Sequence, residues 1–311
     1  MQKIVTITLN PALDKSTHVQ RVQHEKKLRC DEPRYEPGGG GINVSRAIKK
    51  LGGESCAWFL SGGPSGKRLQ ELLAAEDVNF WAAEAKNWTR ENLMVFEDAT
   101  GEQFRFGMPG PETYEPEWKQ FLDKLENATE LPEYVVASGS LPPGVPEDFY
   151  LQLAVIAHNK GFKLIVDTSG PALMKAAGEG LYLIKPNLGE LAELAGKEHI
   201  TAMEQEEIAM QVLNEGKCEV LVVSLGPRGA MMATKEGIHY VASPTVKQQS
   251  AVGAGDSMVG GMVLSLLQGR SMLDVVRYGV AAGTACTMTP GSELCRKEDT
   301  ENIFQWLQEH S

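Results

Sequence analysis

Asp256 lies in the stretch Ser250-Ala251-Val252-Gly253-Ala254-Gly255-Asp256-Ser257, just ahead of an apolar run from Met258 to Leu267. Gly253 and Gly255 permit backbone conformations closed to other residues. Met258, Val259, Met262, Val263 and Leu266 recur at helical spacing. A glycine turn entering a helix leaves N–H groups unpaired at the positive end of the helix dipole, which makes an anion site. A carboxylate there repels a bound phosphate unless it has another task. Asp256 could take a proton from a hydroxyl while the N–H groups of Gly253, Ala254 and Gly255 hold a phosphoryl group in transfer. The alternative is a plain helix cap.

Other residues could share that chemistry. Pro37-Gly38-Gly39-Gly40-Gly41-Ile42-Asn43 is a second glycine turn entering a helix. Glycines let a ligand approach the backbone, and the Asn43 amide offers a sugar both donor and acceptor; a tight turn with a cap is the other reading. Asp14 follows the strand 3–9, at the carboxyl end where α/β sheets bind ligands. It could accept bonds from two neighbouring hydroxyls, or close a turn. Lys27, Arg29, Arg90 and Arg105 fall in or beside extended segments, and Lys27 and Arg29 share a face if their strand is regular. Such cations would hold a phosphate already on the substrate, or form a solvated face. Asn187 and Glu190, spaced i, i+3 at a helix start, could hold water around magnesium, although surface helices carry that spacing constantly. Ser224-Leu225-Gly226-Pro227-Arg228-Gly229 and Ser138-Gly139-Ser140 are strand-end loops. The first suits nucleotide phosphates; a plain turn is the alternative for each.

The elements that must position these residues alternate. Strands are expected at 3–9, 54–60, 134–138, 163–167, 181–184 and 220–224. Helices are expected after the glycine run and at 66–76, 115–126, 147–159, 188–195 and 201–214. Two short strands at 229–234 and 237–241 and three closing helices (256–268, 273–287, 299–308) follow. Strand–helix alternation predicts an α/β fold with a mainly parallel sheet covered on both faces. Residues 16–21, 28–36 and 92–107 break the rule, being extended with no covering helix. They predict a small second sheet acting as a lid, and an uncovered sheet face invites a homodimer.

The chain has 311 residues, 42% of them hydrophobic, and 41 Asp and Glu against 30 Lys and Arg, a formal charge of −11. That balance argues against nucleic-acid or anionic-membrane partners. Five scattered cysteines without a Cys-x-x-Cys pair suit reduced thiols in the cytoplasm. The P-loop, Gly-x-Gly-x-x-Gly and Gly-x-Ser-x-Gly patterns are missing, which disfavours a P-loop NTPase, a nicotinamide oxidoreductase and an α/β hydrolase.

Gly38 to Val44 resembles the first signature of the ribokinase-like (pfkB) carbohydrate kinase family, and Val252 to Ser257 the second. Asn187-Leu188-Gly189-Glu190 is similar to the family's Asn-x-x-Glu magnesium motif. Thr8-Leu9-Asn10-Pro11-Ala12-Leu13-Asp14, Lys27-Leu28-Arg29-Cys30 and Trp88-Thr89-Arg90 resemble its hexose-phosphate kinases. The likeness covers essentially the whole chain. It implies a ribokinase-like three-layer α/β/α sandwich, one kinase domain over 1–311, with a lid from about 14–37 and 88–109. It implies ATP-dependent phosphorylation of fructose 6-phosphate at the 1-hydroxyl, with Asp256 as base. Rival readings are a tagatose 6-phosphate or fructose 1-phosphate kinase, or a non-catalytic sugar-phosphate-binding regulator. Gly40 stands where the family's 1-phosphofructokinases usually carry lysine.

The resemblance also implies site residues. Asp14, Gly38, Gly39, Gly40 and Asn43 would hold the sugar. Arg90, with Lys27, Arg29, Arg105, Ser138 and Gly139, would hold its 6-phosphate. Lys185, Asn187, Ser224, Gly226, Arg228, Gly229, Lys247, Val280 and Thr284 would line the ATP site. Mg²⁺ would sit through water near Asn187 and Glu190, and K⁺ on backbone groups of Ser250, Val252, Cys286, Thr289 and Gly291. Ser250-Ala251 replaces the Asp-Thr of many members. A homodimer through the lid is expected, with pairing into tetramers left open.

Overall fold

The computed structural model describes residues 2–310. Its first half contains β1 (Ile4–Thr8), β2 (Ala12–Val19), β3 (Arg34–Gly38), α1 (Gly40–Lys50), β4 (Cys56–Ser61), α2 (Gly63–Ala75), β5 (Asn79–Glu84), β6 (Arg90–Glu97), β7 (Gln103–Phe106), α3 (Glu115–Glu126) and β8 (Tyr134–Ser138). The second half contains α4 (Phe149–Lys160), β9 (Lys163–Asp167), α5 (Gly170–Ala176), β10 (Leu181–Ile184), α6 (Leu188–Leu194), α7 (Gln205–Asn214), β11 (Cys218–Ser224), β12 (Ala230–Thr234), β13 (Gly237–Val241), α8 (Ala254–Leu267), α9 (Met272–Thr287) and α10 (Lys297–His310).

Nine strands form one sheet in the order β13-β12-β11-β10-β9-β8-β1-β4-β5. It is parallel from β11 to β5, and β12 and β13 add an antiparallel edge. β1 is buried throughout, which requires cover on both faces. Val5 and Ile7 face a core shared with α3 to α7. Ile4 faces the opposite core, built by α1, α8, α9 and α10. Leu69 and Leu73 of α2 pack with Ile42, Ala57 and Phe59. Each such side chain, fully buried, contributes roughly 1.5–3 kcal/mol. The three expected layers are present.

A second sheet of four strands, in the order β3-β2-β6-β7, stands apart from the first. β2 pairs with β6 along its whole length, Ala12 opposite Arg90 through Val19 opposite Glu97. This pairing starts the strand at Ala12 rather than at the expected residue 16. The strand expected at 28–36 forms only at its end, as β3. Residues 21–27 are exposed and have no partner strand, so nothing rewards an extended conformation there. Two elements escape the sequence reading altogether. β5 is an edge strand without clear alternation, and α5 is seven residues opened by Gly170-Pro171.

Candidate active site

Gly253 adopts φ +75° and ψ 5°, a left-handed conformation, and is the N-cap of α8 with no side-chain cap. A methyl group there would strike Leu294. Ala254, Gly255 and Asp256 therefore form the first helical turn, where N–H groups lack a partner four residues back. The Asp256 carboxylate does not cap this turn. Its Oδ2 accepts a hydrogen bond from Asn43 Nδ2 at 2.9 Å, across to α1. Burial, reinforced by the negative charge of Asp167, pushes its pKa up to about 6, against the opposing pull of the Asn43 bond and the Lys185 cation. Asp256 is thus a carboxylate with proton affinity near neutrality, aimed into a cleft.

One wall of that cleft comes from the glycine run. Thr8 Oγ1 of β1 accepts the Ile42 N–H at 2.9 Å and so fixes the start of α1. Gly38 and Gly40 are required by close approach: a Cβ on Gly38 would overlap the Asp14 carboxylate, and one on Gly40 would overlap Ser138 Oγ and lie 2.9 Å from the Gly139 nitrogen. Gly39 has φ +118°. Asp14, on β2, accepts from Asn92 Nδ2 at 2.8 Å. Burial raises its pKa, while Asn92, Arg90 and Arg46 pull it down. Arg90 is gripped by the carbonyls of Met108 (2.9 Å), Asn10 (3.0 Å) and Pro11 (3.4 Å). Burial lowers its pKa, opposed by Asp14. Ser138 is buried at the end of β8. The Gly139 carbonyl is already engaged, accepting from Tyr150 Oη and Thr168 Oγ1, both at 2.9 Å.

The other wall is a cavity of about 340 Å³ that reaches the first turn of α8 at Ala254 and Gly255. Ser224, Gly226, Gly229, Val280 and Thr284 line it as expected. Thr284 Oγ1 lies 2.8 Å from Ser243 Oγ, closing the cavity's side. Thr245, Val246, Gly283 and Thr287 also line it and escaped the sequence reading. Val280, Gly283, Thr284 and Thr287 do share one helical face, so α9 carried a readable signal. Arg228 and Lys247 are not among the lining residues; both are exposed, Arg228 in a short 3-10 helix and Lys247 in an irregular segment, each beside residues that do line the cavity.

Lys185 lies between the two walls. It is buried and pairs with Asp167 at 3.1 Å. A methyl on Gly255 would sit 3.6 Å from its ammonium group. Burial lowers its pKa but is outweighed by Asp167, Glu190 and Asp256, leaving it above the ordinary value. Asp167, at the carboxyl end of β9, was not singled out from sequence, although its place at the end of a parallel strand is the signal that marked Asp14.

Asn187 and Glu190 form a reciprocal helix cap. The Glu190 N–H donates to Asn187 Oδ1 at 3.0 Å and the Asn187 N–H to Glu190 Oε2 at 2.8 Å. Their spacing therefore serves capping first. Among the described residues no three His, Cys, Asp or Glu side chains gather as a metal cluster. Near α8, Cys286 Sγ donates to the Val252 carbonyl at 3.3 Å. Thr289 Oγ1 is within bonding distance of the Cys286 and Leu294 carbonyls, at 2.8 and 3.0 Å. These contacts bring the loop around Gly291 against the turn at Val252.

Three of the expected phosphate cations behave differently from Arg90. Lys27 and Arg29 sit in an exposed, irregular segment, so the shared strand face does not exist. That segment begins beyond Val19, roughly 16 Å along β2 from Asp14. Arg105 Nη2 donates to Gln103 Oε1 at 2.9 Å on exposed β7. Within one chain, these three do not join the cleft.

The family model for pfkB family carbohydrate kinases matches residues 5–299. ATP-dependent 6-phosphofructokinase isozyme 2 of Escherichia coli is 46% identical over 308 residues, 99% of each chain. Crystal structures of phosphofructokinase-2 from Escherichia coli, one in complex with potassium and one with fructose 6-phosphate, match with TM-scores of 0.95 and 0.93. Both are 45% identical over 99% of this chain and 100% of theirs.

Proposed function

We propose that this chain, which belongs to the pfkB family of carbohydrate kinases and has the family's ribokinase-like fold, transfers the γ-phosphoryl group of ATP to the 1-hydroxyl of fructose 6-phosphate. Asp256 carries the reading. Its carboxylate, with pKa about 6 and free of any capping role, stands between a nucleoside-sized cavity and the Asp14 side of the cleft. It accepts the hydroxyl proton as the oxygen attacks phosphorus. The first-turn N–H groups of α8 and the Lys185 ammonium receive the charge on the transferring group. Asp14, Asn43 and backbone groups of the glycine run orient the sugar, and Arg90 meets its phosphate. Gly40 supports fructose 6-phosphate over fructose 1-phosphate, since it stands where the family's 1-phosphofructokinases usually carry lysine and its Cβ position is taken up by Ser138 and Gly139.

Glu190 and Asp167 offer hard oxygen donors beside Lys185 and fit a hydrated magnesium ion. Burial raises the Glu190 pKa, so an adjacent cation favours its ionised form. When bound, Mg²⁺ neutralises phosphate charge. The backbone oxygens of Ser250, Val252, Cys286, Thr289 and Gly291 would hold a potassium ion, a role that does not depend on the side chains, and the Cys286 and Thr289 contacts draw these segments together. The chain works as one kinase unit in the cytoplasm, with the second sheet as lid. No helix of the described residues is long and apolar enough to cross a membrane. Leu93 to Phe96 on β6 are only half-buried and Phe106 is 49% exposed, which supports a homodimer through the lid.

Two outcomes test this reading. Wild-type protein is expected to convert ATP and fructose 6-phosphate to ADP and fructose 1,6-bisphosphate in an aldolase-coupled assay; protein that binds fructose 6-phosphate without consuming ATP would make it a regulator. The pH profile of kcat/KM is expected to rise through an apparent pKa of about 6 as Asp256 ionises. An acid limb near pH 4 would separate the base from the buried Asp256.

A further inference from the structure

Arg46 is the largest buried group near the cleft that the mechanism above does not use. Its side chain is 2% exposed and emerges from α1 behind the glycine run. Nε and Nη2 donate to the two carboxylate oxygens of Glu76 at 2.7 and 2.8 Å, a bidentate pair at the end of α2. Nη1 donates to the Pro37 carbonyl at 3.0 Å and to Asn43 Oδ1 at 3.4 Å. The other end of the same amide, Asn43 Nδ2, donates to Asp256. Glu76, Arg46, Asn43 and Asp256 thus form one chain of contacts.

The chemistry of this chain is directional. A guanidinium has only donors, so beside Asn43 it accepts one amide orientation, with the oxygen toward Arg46. That orientation leaves the NH₂ group facing Asp256. A flipped amide would turn its oxygen on the carboxylate, which repels it. Pro37 precedes Gly38, which abuts Asp14, so the same guanidinium also anchors the backbone against the sugar-binding carboxylate. Its charge reaches Asp14 as well. Glu76 balances that buried charge and locks the fork.

We propose that Arg46, locked by Glu76, is a positioning residue for phosphoryl transfer, which fixes the Asn43 amide so that its donor end holds Asp256 in line with the substrate hydroxyl. The inference rests on Asp256 being the base. Arg46 does not line the ATP cavity, so the effect falls on turnover and on the sugar side of the cleft and leaves ATP binding alone.

Glu76→Gln is the main test, because Glu76 is one-third exposed and its loss leaves the fold a milder insult than removing Arg46. Arg46→Lys is the second variant; it keeps the charge and loses the fork. For Glu76→Gln we expect kcat to fall roughly 10–100-fold with KM for ATP within about twofold of wild type. The acid limb of kcat should move upward by about half a unit or more as the Asn43 donor is lost, the other charges facing Asp256 (Asp14, Asp167 and Lys185) being unchanged. In an Asn43→Ala background, adding Glu76→Gln should cost little further kcat, since both act through one amide. A Glu76→Gln enzyme that is less heat-stable but keeps wild-type kcat and acid limb would reduce the pair to a structural tie, as would full additivity with Asn43→Ala. A wild-type enzyme without turnover would instead overturn the kinase reading itself.

Discussion

Asp256→Asn is expected to lower kcat roughly 10²–10⁴-fold while the affinity for ATP stays near wild type. The amide keeps the size of the carboxylate and still accepts the Asn43 bond, but it cannot take the hydroxyl proton. ATP affinity, read by equilibrium titration, depends on the cavity of α9 and on backbone N–H groups that the substitution leaves in place. The same change should make the protein more stable at alkaline pH. Folding raises the Asp256 pKa from 3.8 to about 6, so the native state resists ionisation. Below pH 4 the group is protonated in both states and costs nothing. Between pH 4 and 6 the unfolded state ionises while the folded state does not, so stability falls across that window by about 1–3 kcal/mol and stays lower above it. At pH 8 the asparagine variant should melt roughly 2–6 °C higher, and the gap should close toward pH 4. Near-normal turnover would remove Asp256 as the base. A variant that melts lower at pH 8 would contradict the burial argument.

Arg90→Ala should raise KM for the sugar phosphate about 10–100-fold, with KM for ATP almost unchanged. Three carbonyls occupy three of the five guanidinium N–H groups, and two remain for a phosphate. A charge-assisted bond is worth about 1.5–3 kcal/mol, which sets the expected factor. Arg90 also ties the loop after β1 to the segment after β7, through Asn10, Pro11 and Met108. The alanine variant should therefore loosen the second sheet as well as the phosphate. Arg90→Lys, with charge but no planar fork, should recover only part of the loss. An unchanged sugar-phosphate KM would locate the 6-phosphate elsewhere.

Much of the architecture was legible because the long elements carry strong, local signals. The strands Tyr134–Ser138 and Lys163–Asp167 and the helix Glu115–Glu126 have the expected ends. The glycine turns were legible for a similar reason, since only glycine meets the demands of Gly253 and of the run beside Asp14 and Ser138. What local pattern does not convey is what depends on partners far along the chain. Lys27 and Arg29 looked like strand neighbours, but β2 ends at Val19 and both lie in an exposed segment outside any strand. Asn187 and Glu190 carry a spacing that a capping box and a hydrated-metal motif share, and the reciprocal cap is the part the fold displays. The Asn43–Asp256 bond joins residues 213 positions apart, and no local pattern announces it. Arg46 was hidden for that reason too: in sequence it is one polar residue in an amphipathic helix, and only the packing of α1 against α2 turns it inward onto Glu76.

The most direct test of the whole account is kcat/KM of the wild-type enzyme for fructose 6-phosphate, measured with saturating ATP beside tagatose 6-phosphate and fructose 1-phosphate. A clear preference for fructose 6-phosphate is the predicted result. A much higher kcat/KM on fructose 1-phosphate or tagatose 6-phosphate would contradict it and reassign the acceptor that Asp256 serves.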